Sequence, residues 1–360
     1  MLGLFKLKFY KTEETLTGKW ALVFFGMLVL SLFLGGIAMV PIKADPLLAY
    51  FSLIKGAIGS RFALSETILR ALPLLFIGLG TTLCFRAGLW NIGGNGQIFA
   101  GGMAATAVSM YLGNLPPLFL IPLTILAGAL AGGIWSGIAG LLRAKLNINE
   151  VFVTVMMNYI MLYFSIFIVE EVWREPTYGM AWSEIIPETS WWPMLIPETK
   201  IHLGLAIAVI ASVITYYLLF RTPFGYEIQA TGLNHRAAFC KFKRIKTQRM
   251  IILVMVIAGL WGGIAGAGQV CGDQHRFSLQ ICANYGFLGI IVALLGGLNP
   301  IGVIIASFFL SSIMSGAINM QVITGVPISL IDFVIGLLLL SAISAPMVSR
   351  YKICKRHKNE

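Results

Sequence analysis

The chain has 360 residues, of which 58% are hydrophobic and only 11% are charged, and its formal net charge is +11. A soluble domain carries about 25% charged residues, so this composition excludes an ordinary soluble protein and indicates a polytopic helical membrane protein. The positive charge does not require nucleic acid as a partner, because membrane proteins concentrate Lys and Arg in their cytoplasmic loops.

Ten apolar segments are candidates for transmembrane helices, each of which needs about 20 residues. The predicted spans are 20–40, 63–86, 97–112, 116–142, 151–171, 201–220, 250–271, 284–298, 301–320 and 328–348. A further interfacial or re-entrant helix is predicted over 46–59. We therefore expect an all-α integral membrane protein of about ten transmembrane helices, forming one transmembrane domain over 1–360.

A polar, glycine-rich segment at 90–104, here called the polar break, interrupts the apolar pattern and reads WNIGGNGQIFAGGMA. A bilayer offers no hydrogen-bond partners to an unwound backbone, so such a segment is stable only against protein or a water-filled cavity. It predicts a translocation pathway lined by Asn91, Gly93, Asn95, Gly96 and Gln97. A surface turn, or close helix packing through small residues, is the alternative.

Two polar residues of the fifth predicted span, Glu150 and Asn158, lie eight positions apart and therefore on one helical face. Intramembrane polar groups are functional candidates, so both are proposed to line the pathway. Helix capping by Glu150 and interhelical hydrogen bonding by Asn158 are the alternatives. Glu66 and Arg70, four positions apart, are predicted to form a local ion pair near the outer interface.

Basic residues cluster in four places: before the first span, after the fourth, between the sixth and seventh, and at the end of the chain. With ten spans and a cytoplasmic N-terminus, all four clusters fall on one side, as the positive-inside rule requires. The expected cytoplasmic segments therefore include 1–19, 221–249 and 349–360. The acidic, tryptophan-rich stretch around 173–198 falls on the opposite side, as an amphipathic segment at the outer interface.

The loop at 221–249 begins with a proline-glycine turn and is predicted to contain a short helix that starts near Asn234. Ala237 and Ala238 leave that helix slim on one face, which suits docking into a groove on a soluble partner. The alternative is an ordinary basic loop held against anionic membrane lipid.

Four separated blocks, at 91–97, 149–160, 222–245 and 286–300, together give the chain a resemblance to a known family. The chain resembles the permease subunits of bacterial ABC importers for branched-chain amino acids, ribose and nucleosides, and is most similar to the simple-sugar and nucleoside group. The resemblance implies ten helices with an inverted five-plus-five repeat in the bacterial inner membrane. Asn95 departs from the pattern, because the nucleoside group commonly has an acidic residue there.

The resemblance also implies partners: an ABC ATP-binding subunit, a second permease subunit, and an extracytoplasmic binding protein that is often a lipoprotein. The expected contact with the ATPase is the 221–249 loop, through Gly225, Gly232, Asn234, Ala237 and Ala238. The chain contains no Gly-x-x-x-x-Gly-Lys-[Ser/Thr] loop, so ATP hydrolysis must come from another chain.

Uncharged polar residues in the expected pathway indicate a neutral polar solute, with nucleosides first and simple sugars second. No catalytic residue, cofactor or metal site is predicted, because the five Cys and four His residues are scattered and form no ligand motif. Cys271 and Cys282 lie near the ends of consecutive spans, where a disulfide and two buried thiols are both open alternatives. A secondary active transporter is the alternative function.

Overall fold

The computed structural model describes residues 8–11, 17–175, 182–233, 247–348 and 351–354, and within them the protein is almost entirely helical. The α-helices of these residues, numbered in chain order, are α1 Thr17–Met39, α2 Pro46–Ile58, α3 Arg61–Arg86, α4 Gly94–Tyr111, α5 Pro117–Leu146, α6 Glu150–Phe167, α7 Gly204–Arg221, α8 Pro223–Leu233, α9 Thr247–Gly268, α10 Tyr285–Leu295, α11 Pro300–Thr324 and α12 Ile328–Val348. Two short strands, β1 Lys8–Lys11 and β2 Tyr351–Cys354, pair antiparallel.

Six helices of the described residues are long and apolar enough to cross a bilayer. They are α3, α5, α6 extended to Val172, α7, α9 extended to Gln274, and α11. Val29–Ile42 and α2 would add a seventh if this pair, bent by 118°, forms one span. Every predicted span coincides with a helix, but the number of clear spans is smaller than ten. One physical reason is length: α10 has 11 residues, and at about 1.5 Å per residue it covers roughly half of a bilayer core.

The chain divides into two compact units, Ala57–Ser315 and a second formed by Met1–Gly56 together with Gly316–Glu360. In the second unit α1 packs along α12, where the Ser31 hydroxyl hydrogen-bonds to the Ser341 hydroxyl. The Asn319 amide donates to the Ser52 carbonyl oxygen at 2.7 Å, which joins α11 to α2. Such side-chain hydrogen bonds hold helices together where lipid competes poorly for polar groups.

In the unit Ala57–Ser315, α9 packs against α3, α4 and α5. Its closest contact with α5 is made by glycine backbone, here called the glycine seam: Gly128 and Gly132 of α5 against Gly259 and Gly263 of α9. A Cβ at Gly263 would lie 2.0 Å from the Gly128 carbonyl oxygen, and one at Gly259 would lie 2.3 Å from the Gly132 carbonyl oxygen. Only glycine fits at such distances, so the sequence sets how closely the two helices approach.

Two helices in this unit end in π-helical turns, α6 through Ile168–Val172 and α9 through Gln269–Gln274. A π-turn widens the helix and redirects its side chains, and such turns occur frequently at functional sites. Cys271 lies within the second π-turn, and both Cys271 and Cys282 are free, buried thiols. The disulfide left open from the sequence is therefore not formed.

Candidate functional site

The unwound part of the polar break is short, and its polar side chain Asn91 is buried while Trp90 is exposed. α3 ends at Arg86, the chain runs without regular helix through 87–93, and α4 begins at Gly94. The helix was expected to begin at residue 97, so the unwound part is three residues shorter than predicted. Asn91 is 4% exposed and Gln97 is 2% exposed, which excludes a plain surface turn.

One face of α6 supplies hydrogen-bond partners to the unwound backbone. Glu150 and Thr154 are four residues apart, so their side chains project in the same direction. The backbone N–H of Trp90 donates to Glu150 Oε1, and that of Ile92 donates to Thr154 Oγ1, each at 3.3 Å. The other carboxylate oxygen of Glu150 forms an ion pair with Arg143 Nε at 3.1 Å. The pairing of this carboxylate offsets the cost of burying it.

Asn158, one turn further along the same face of α6, contacts the end of the unwound segment and the first turn of α4. Its amide oxygen accepts from the backbone N–H of Gly96 at 2.8 Å, and its amide nitrogen donates to the carbonyl oxygen of Ile92 at 2.9 Å. A Cβ at Gly96 would lie 2.8 Å from Trp135 Nε1 and 3.1 Å from Asn158 Oδ1. Gly96 is therefore required for α4, α5 and α6 to approach one another.

The break also contains hydrogen bonds of its own. Asn91 Oδ1 accepts from the backbone N–H of Gly93 at 3.0 Å and from Gln97 Nε2 at 3.2 Å. Asn95 points elsewhere, because its Oδ1 accepts from the backbone N–H of Gly286 at 2.8 Å, in the first turn of α10. A helix leaves its first N–H groups without intrahelical partners, and here a residue of the break supplies one. A carboxylate at position 95 would offer the same acceptor.

The structure therefore brings the seven predicted pathway residues close together, in one hydrogen-bonded region. Asn158 forms the interhelical hydrogen bonds that were its alternative interpretation. Glu150 forms an ion pair with Arg143, which was not predicted, and the side-chain cap of α6 comes from Asn149. The role of these residues in lining a pathway stays a prediction.

The coupling residues predicted from the sequence are described only in part. Asn234, Ala237 and Ala238 lie outside the described residues. Gly225 lies in the first turn of α8, where a Cβ would be 2.2 Å from the Leu218 carbonyl oxygen. Gly232 lies near the end of α8, where a Cβ would be 2.1 Å from the Arg86 carbonyl oxygen.

The Gly232 contact joins α8 to the chain segment that enters the polar break. Gly88, at a φ of +73°, would place a Cβ 3.2 Å from the Gly232 Cα, so two glycines let the backbones touch. The Arg86 side chain adds two hydrogen bonds, to the Leu298 carbonyl oxygen at 3.0 Å and to Gln229 Oε1 at 3.4 Å. Gln229 also lies on α8, so this helix is attached to the break by side chain and backbone together.

A second polar region, which the sequence did not indicate, is a cavity of about 200 Å³, here called the Asp273 cavity. Its polar lining comes from α3, from the π-turn of α9 and from the segment that leads into α10: Glu66, Arg70, Gln269, Asp273, Gln274, Gln280 and Tyr285. Glu66 does not form the local pair with Arg70 that its spacing predicted. It pairs instead with Lys200 from the segment before α7.

The segment 182–203, here called the tryptophan loop, packs against 275–278 beyond the π-turn. Trp182 bridges to Ser278, and the Ser183 N–H donates to the Phe277 carbonyl oxygen at 2.9 Å. Trp191 stacks on His275 with ring centroids 3.9 Å apart. These contacts hold the loop across the same end of α9 as the Asp273 cavity.

His202 fixes the far end of the tryptophan loop. Its Nδ1 accepts from the backbone N–H of Gly204 at 3.0 Å, and its ring lies edge-on to Trp192. Burial, with a smaller contribution from His275, lowers the pKa of His202 to about 4. The imidazole is therefore neutral near pH 7, which is the state in which Nδ1 can accept a hydrogen bond.

Comparison with known proteins identifies the class of the chain. Residues 63–343 match the family described as branched-chain amino acid transport system, permease component. The chain belongs to this family. No solved structure matches the permease significantly.

Three curated relatives of the permease align over most of their length. A nucleoside ABC transporter permease protein of Lactococcus lactis is 34% identical, covering 86% of this chain and 85% of the relative. A guanosine ABC transporter permease protein of Bacillus subtilis is 31% identical, with 88% and 91% covered. A glucose ABC transporter permease protein of Haloferax volcanii is 30% identical, with 90% and 87% covered.

Family membership gives the permease its general role. It is a multi-pass membrane component of an ABC transport system, and it is not the ATPase subunit. The four sequence blocks identified the family correctly. They did not indicate the Asp273 cavity, because its residues come from three separate segments. A π-turn has no recognisable pattern in a single sequence, so the side chains that it gathers could not be foreseen.

Proposed function

We propose that the permease forms the translocation pathway of an ATP-driven ABC importer that takes up nucleosides or simple sugars. The observation that carries this proposal is the 30–34% identity, over most of the chain, to permeases named for nucleosides, guanosine and glucose. The uncharged side chains of Asn91, Gln97 and Asn158 also suit a neutral solute. Of the two solute classes, nucleosides are the first choice.

The proposed arrangement has ten transmembrane helices with an inverted five-plus-five repeat, one domain over 1–360, and both termini on the cytoplasmic side of the bacterial inner membrane. Helices at all ten predicted positions support it. The antiparallel pairing of β1 with β2 also supports a common side for the two termini. With this orientation the tryptophan loop and the Asp273 cavity face outward.

The importer also needs other chains. We propose two permease subunits, an ATP-binding subunit on the cytoplasmic side, and an extracytoplasmic binding protein that delivers the solute. The absence of a phosphate-binding loop from the sequence supports a separate ATPase.

Coupling between the ATPase and the pathway is proposed to pass through the loop 221–249. ATP-driven movement of the predicted helix at 234–238 would displace α8, whose Gly232 touches the backbone at Arg86 and Gly88. Because these are backbone contacts, a shift of α8 cannot be absorbed by side-chain rotation. The shift would reach the polar break within a few residues.

ATP-driven uptake into proteoliposomes tests the function. The permease is reconstituted with its ATPase and binding protein, and uptake of labelled guanosine, glucose and leucine is compared. We expect ATP-dependent uptake of the nucleoside or the sugar. Preference for leucine over every nucleoside and sugar tested would overturn the solute class, and uptake that needs no ATPase would indicate a secondary transporter instead.

The substitution Ala238→Glu tests the coupling contact. A carboxylate forced into a docking groove would be buried without a partner, which costs several kcal/mol. We expect the variant to reach the membrane normally yet lose both co-purification of the ATPase and ATP-driven uptake.

The matched control replaces the neighbouring basic residues Lys241, Lys243, Arg244 and Lys246 by Gln. A loop that only adheres to anionic lipid would depend on these charges and tolerate a change at Ala238. Co-purification that survives Ala238→Glu but fails in the control would therefore assign the contact to the wrong residues.

A further inference from the structure

The carboxylate of Asp273 lies in a cavity without a direct partner. Among the described residues, Asp273 forms no ion pair and its side chain accepts no hydrogen bond, although it is half-buried. Lys200 is paired with Glu66, and Arg70 acts on Asp273 only as a charge at longer range. The Asp273 carboxylate, which accepts hydrogen bonds, and the Arg70 guanidinium, which donates them, therefore line the same cavity without contacting each other.

Other side chains around this space also have unused donors or acceptors. Gln274 Oε1 accepts from the Ser278 hydroxyl at 2.7 Å, which leaves its NH₂ group free to donate toward the cavity. Gln269 is 5% exposed and its side-chain amide has no hydrogen bond to the described residues. Polar groups that line a cavity and lack protein partners are met by water or by a ligand, so one of these is expected to complete the set.

The chemistry of the lining favours hydroxyl groups over ions. A carboxylate only accepts hydrogen bonds and a guanidinium only donates them, whereas a hydroxyl does both. A hydroxyl between Asp273 and Arg70 would satisfy the two side chains at once. A metal ion is disfavoured by the cationic groups of Arg70 and Lys200, and the described residues contain no group of three metal-ligating side chains.

The size and charge of the cavity also favour a neutral solute that carries hydroxyl groups. The formal charges of Glu66 and Asp273 are balanced by those of Lys200 and Arg70, so a neutral solute adds no uncompensated charge. The volume of about 200 Å³ corresponds to roughly seven water molecules at ~30 Å³ each. That space suits one sugar ring with its hydroxyls.

We propose that the Asp273 cavity is a solute-binding site that takes a hydroxyl-rich ring, with Asp273 accepting from vicinal hydroxyls and Arg70 and Gln274 donating to them. The ring is the ribose of a nucleoside or a free monosaccharide. The assignment rests on the proposed function, since it names the part of the solute that the permease itself recognises.

Protection of a cysteine from labelling tests the site in the complete transporter. Ala283→Cys places a thiol on the cavity wall, and its reaction with a membrane-impermeant maleimide is measured in oriented vesicles, with labelling of the parent chain subtracted. We expect a ribonucleoside or glucose to slow the reaction and the 2′,3′-dideoxynucleoside to have no effect. Protection by the ribonucleoside would identify ribose as the source of the hydroxyls, and protection by glucose alone would identify a monosaccharide.

Asp273→Asn in the same background is expected to raise the concentration needed for half-protection about tenfold or more, as loss of a hydrogen bond to a charged group would. Glu184→Gln is the matched control, because Glu184 is an exposed acid of the tryptophan loop outside the cavity. We expect the control to leave protection unchanged.

Three results would overturn the site: equal protection by the dideoxynucleoside, protection unaltered by Asp273→Asn, or no labelling at either Ala283→Cys or Gln280→Cys. ATP-driven uptake by the unlabelled wild type is measured in the same vesicles. If ATP-driven uptake occurs but the cysteine is not protected, the Asp273 cavity is rejected as the site and the proposed function stands. If no nucleoside or sugar is taken up in the presence of ATP, the proposed function is rejected.

Discussion

The polar break and the Asp273 cavity are both polar regions in an apolar chain, but their hydrogen bonds are arranged differently. In the break, the side chains of Glu150 and Asn158 are paired with backbone groups or with Arg143. In the cavity, the Asp273 carboxylate has no direct partner among the described residues. The polar residues of the break thus support irregular backbone, whereas the Asp273 carboxylate remains available to the solute that we propose.

The largest expected effect comes from Asn158→Ala. The substitution leaves the Gly96 N–H and the Ile92 carbonyl buried without partners, at about 1–3 kcal/mol each. We expect a loss of on the order of 2–5 kcal/mol in stability, measured as a lower thermal unfolding midpoint of the purified permease. Met156→Ala is the control, because this side chain is on the same helix but 61% exposed.

The same measurement on the cavity variant Asp273→Asn is expected to give a different result. Removing a half-buried charge that has no direct ion pair is expected to leave the unfolding midpoint unchanged or to raise it. A drop as large as that of Asn158→Ala would mean that Asp273 is structural, and the contrast between the two regions would then fail.

A smaller effect is expected from the pH dependence of stability, because the tryptophan loop, which packs beside the cavity, contains His202. Because the pKa of His202 in the folded protein is about 4, below its ordinary value of 6.5, the unfolded chain binds more protons between these values. The stabilisation by neutral His202 is therefore fully present above pH ~6.5 and is lost as the pH falls toward ~4.

We expect the thermal unfolding midpoint to decrease as the pH is lowered from about 7.5 to about 5. The substitution His202→Asn is expected to make this decrease smaller. Asn offers Gly204 an acceptor oxygen and does not titrate. An identical fall in the variant would assign the pH dependence to other groups, such as His275, whose pKa is also lowered by burial.

The positions of helices could be predicted from the sequence because hydrophobic segments of span length leave a strong signal. Even the helix at 46–59 was predicted, and it is found as α2. The number of clear spans could not be predicted, because the length of an apolar segment does not reveal whether its helix is shortened. Thus 284–298 contains a helix of only 11 residues.

The polar break was recognisable because polar and glycine residues are conspicuous within an apolar sequence. Its partners were only half recognisable: Glu150 and Asn158 were selected as polar residues of a span, but Thr154 between them was missed. A threonine on a helix is unremarkable until the N–H of Ile92 is found beside it. Glu66 shows the reverse error, since a favourable local spacing to Arg70 was overridden by Lys200, 134 residues away.

The glycine seam between α5 and α9 has a consequence for motion during transport. Helices that meet through side chains can slide, because the side chains change rotamer as the helices move. At Gly128, Gly132, Gly259 and Gly263 the carbonyl oxygens lie directly against the neighbouring backbone, and no rotamers are available to absorb a displacement. A Cβ at Gly101 of α4 would lie 2.2 Å from the Gly263 carbonyl oxygen, so α4 meets this pair in the same way. We therefore expect α4, α5 and α9 to travel as one rigid group through the transport cycle, so that any opening and closing takes place at its borders with other helices.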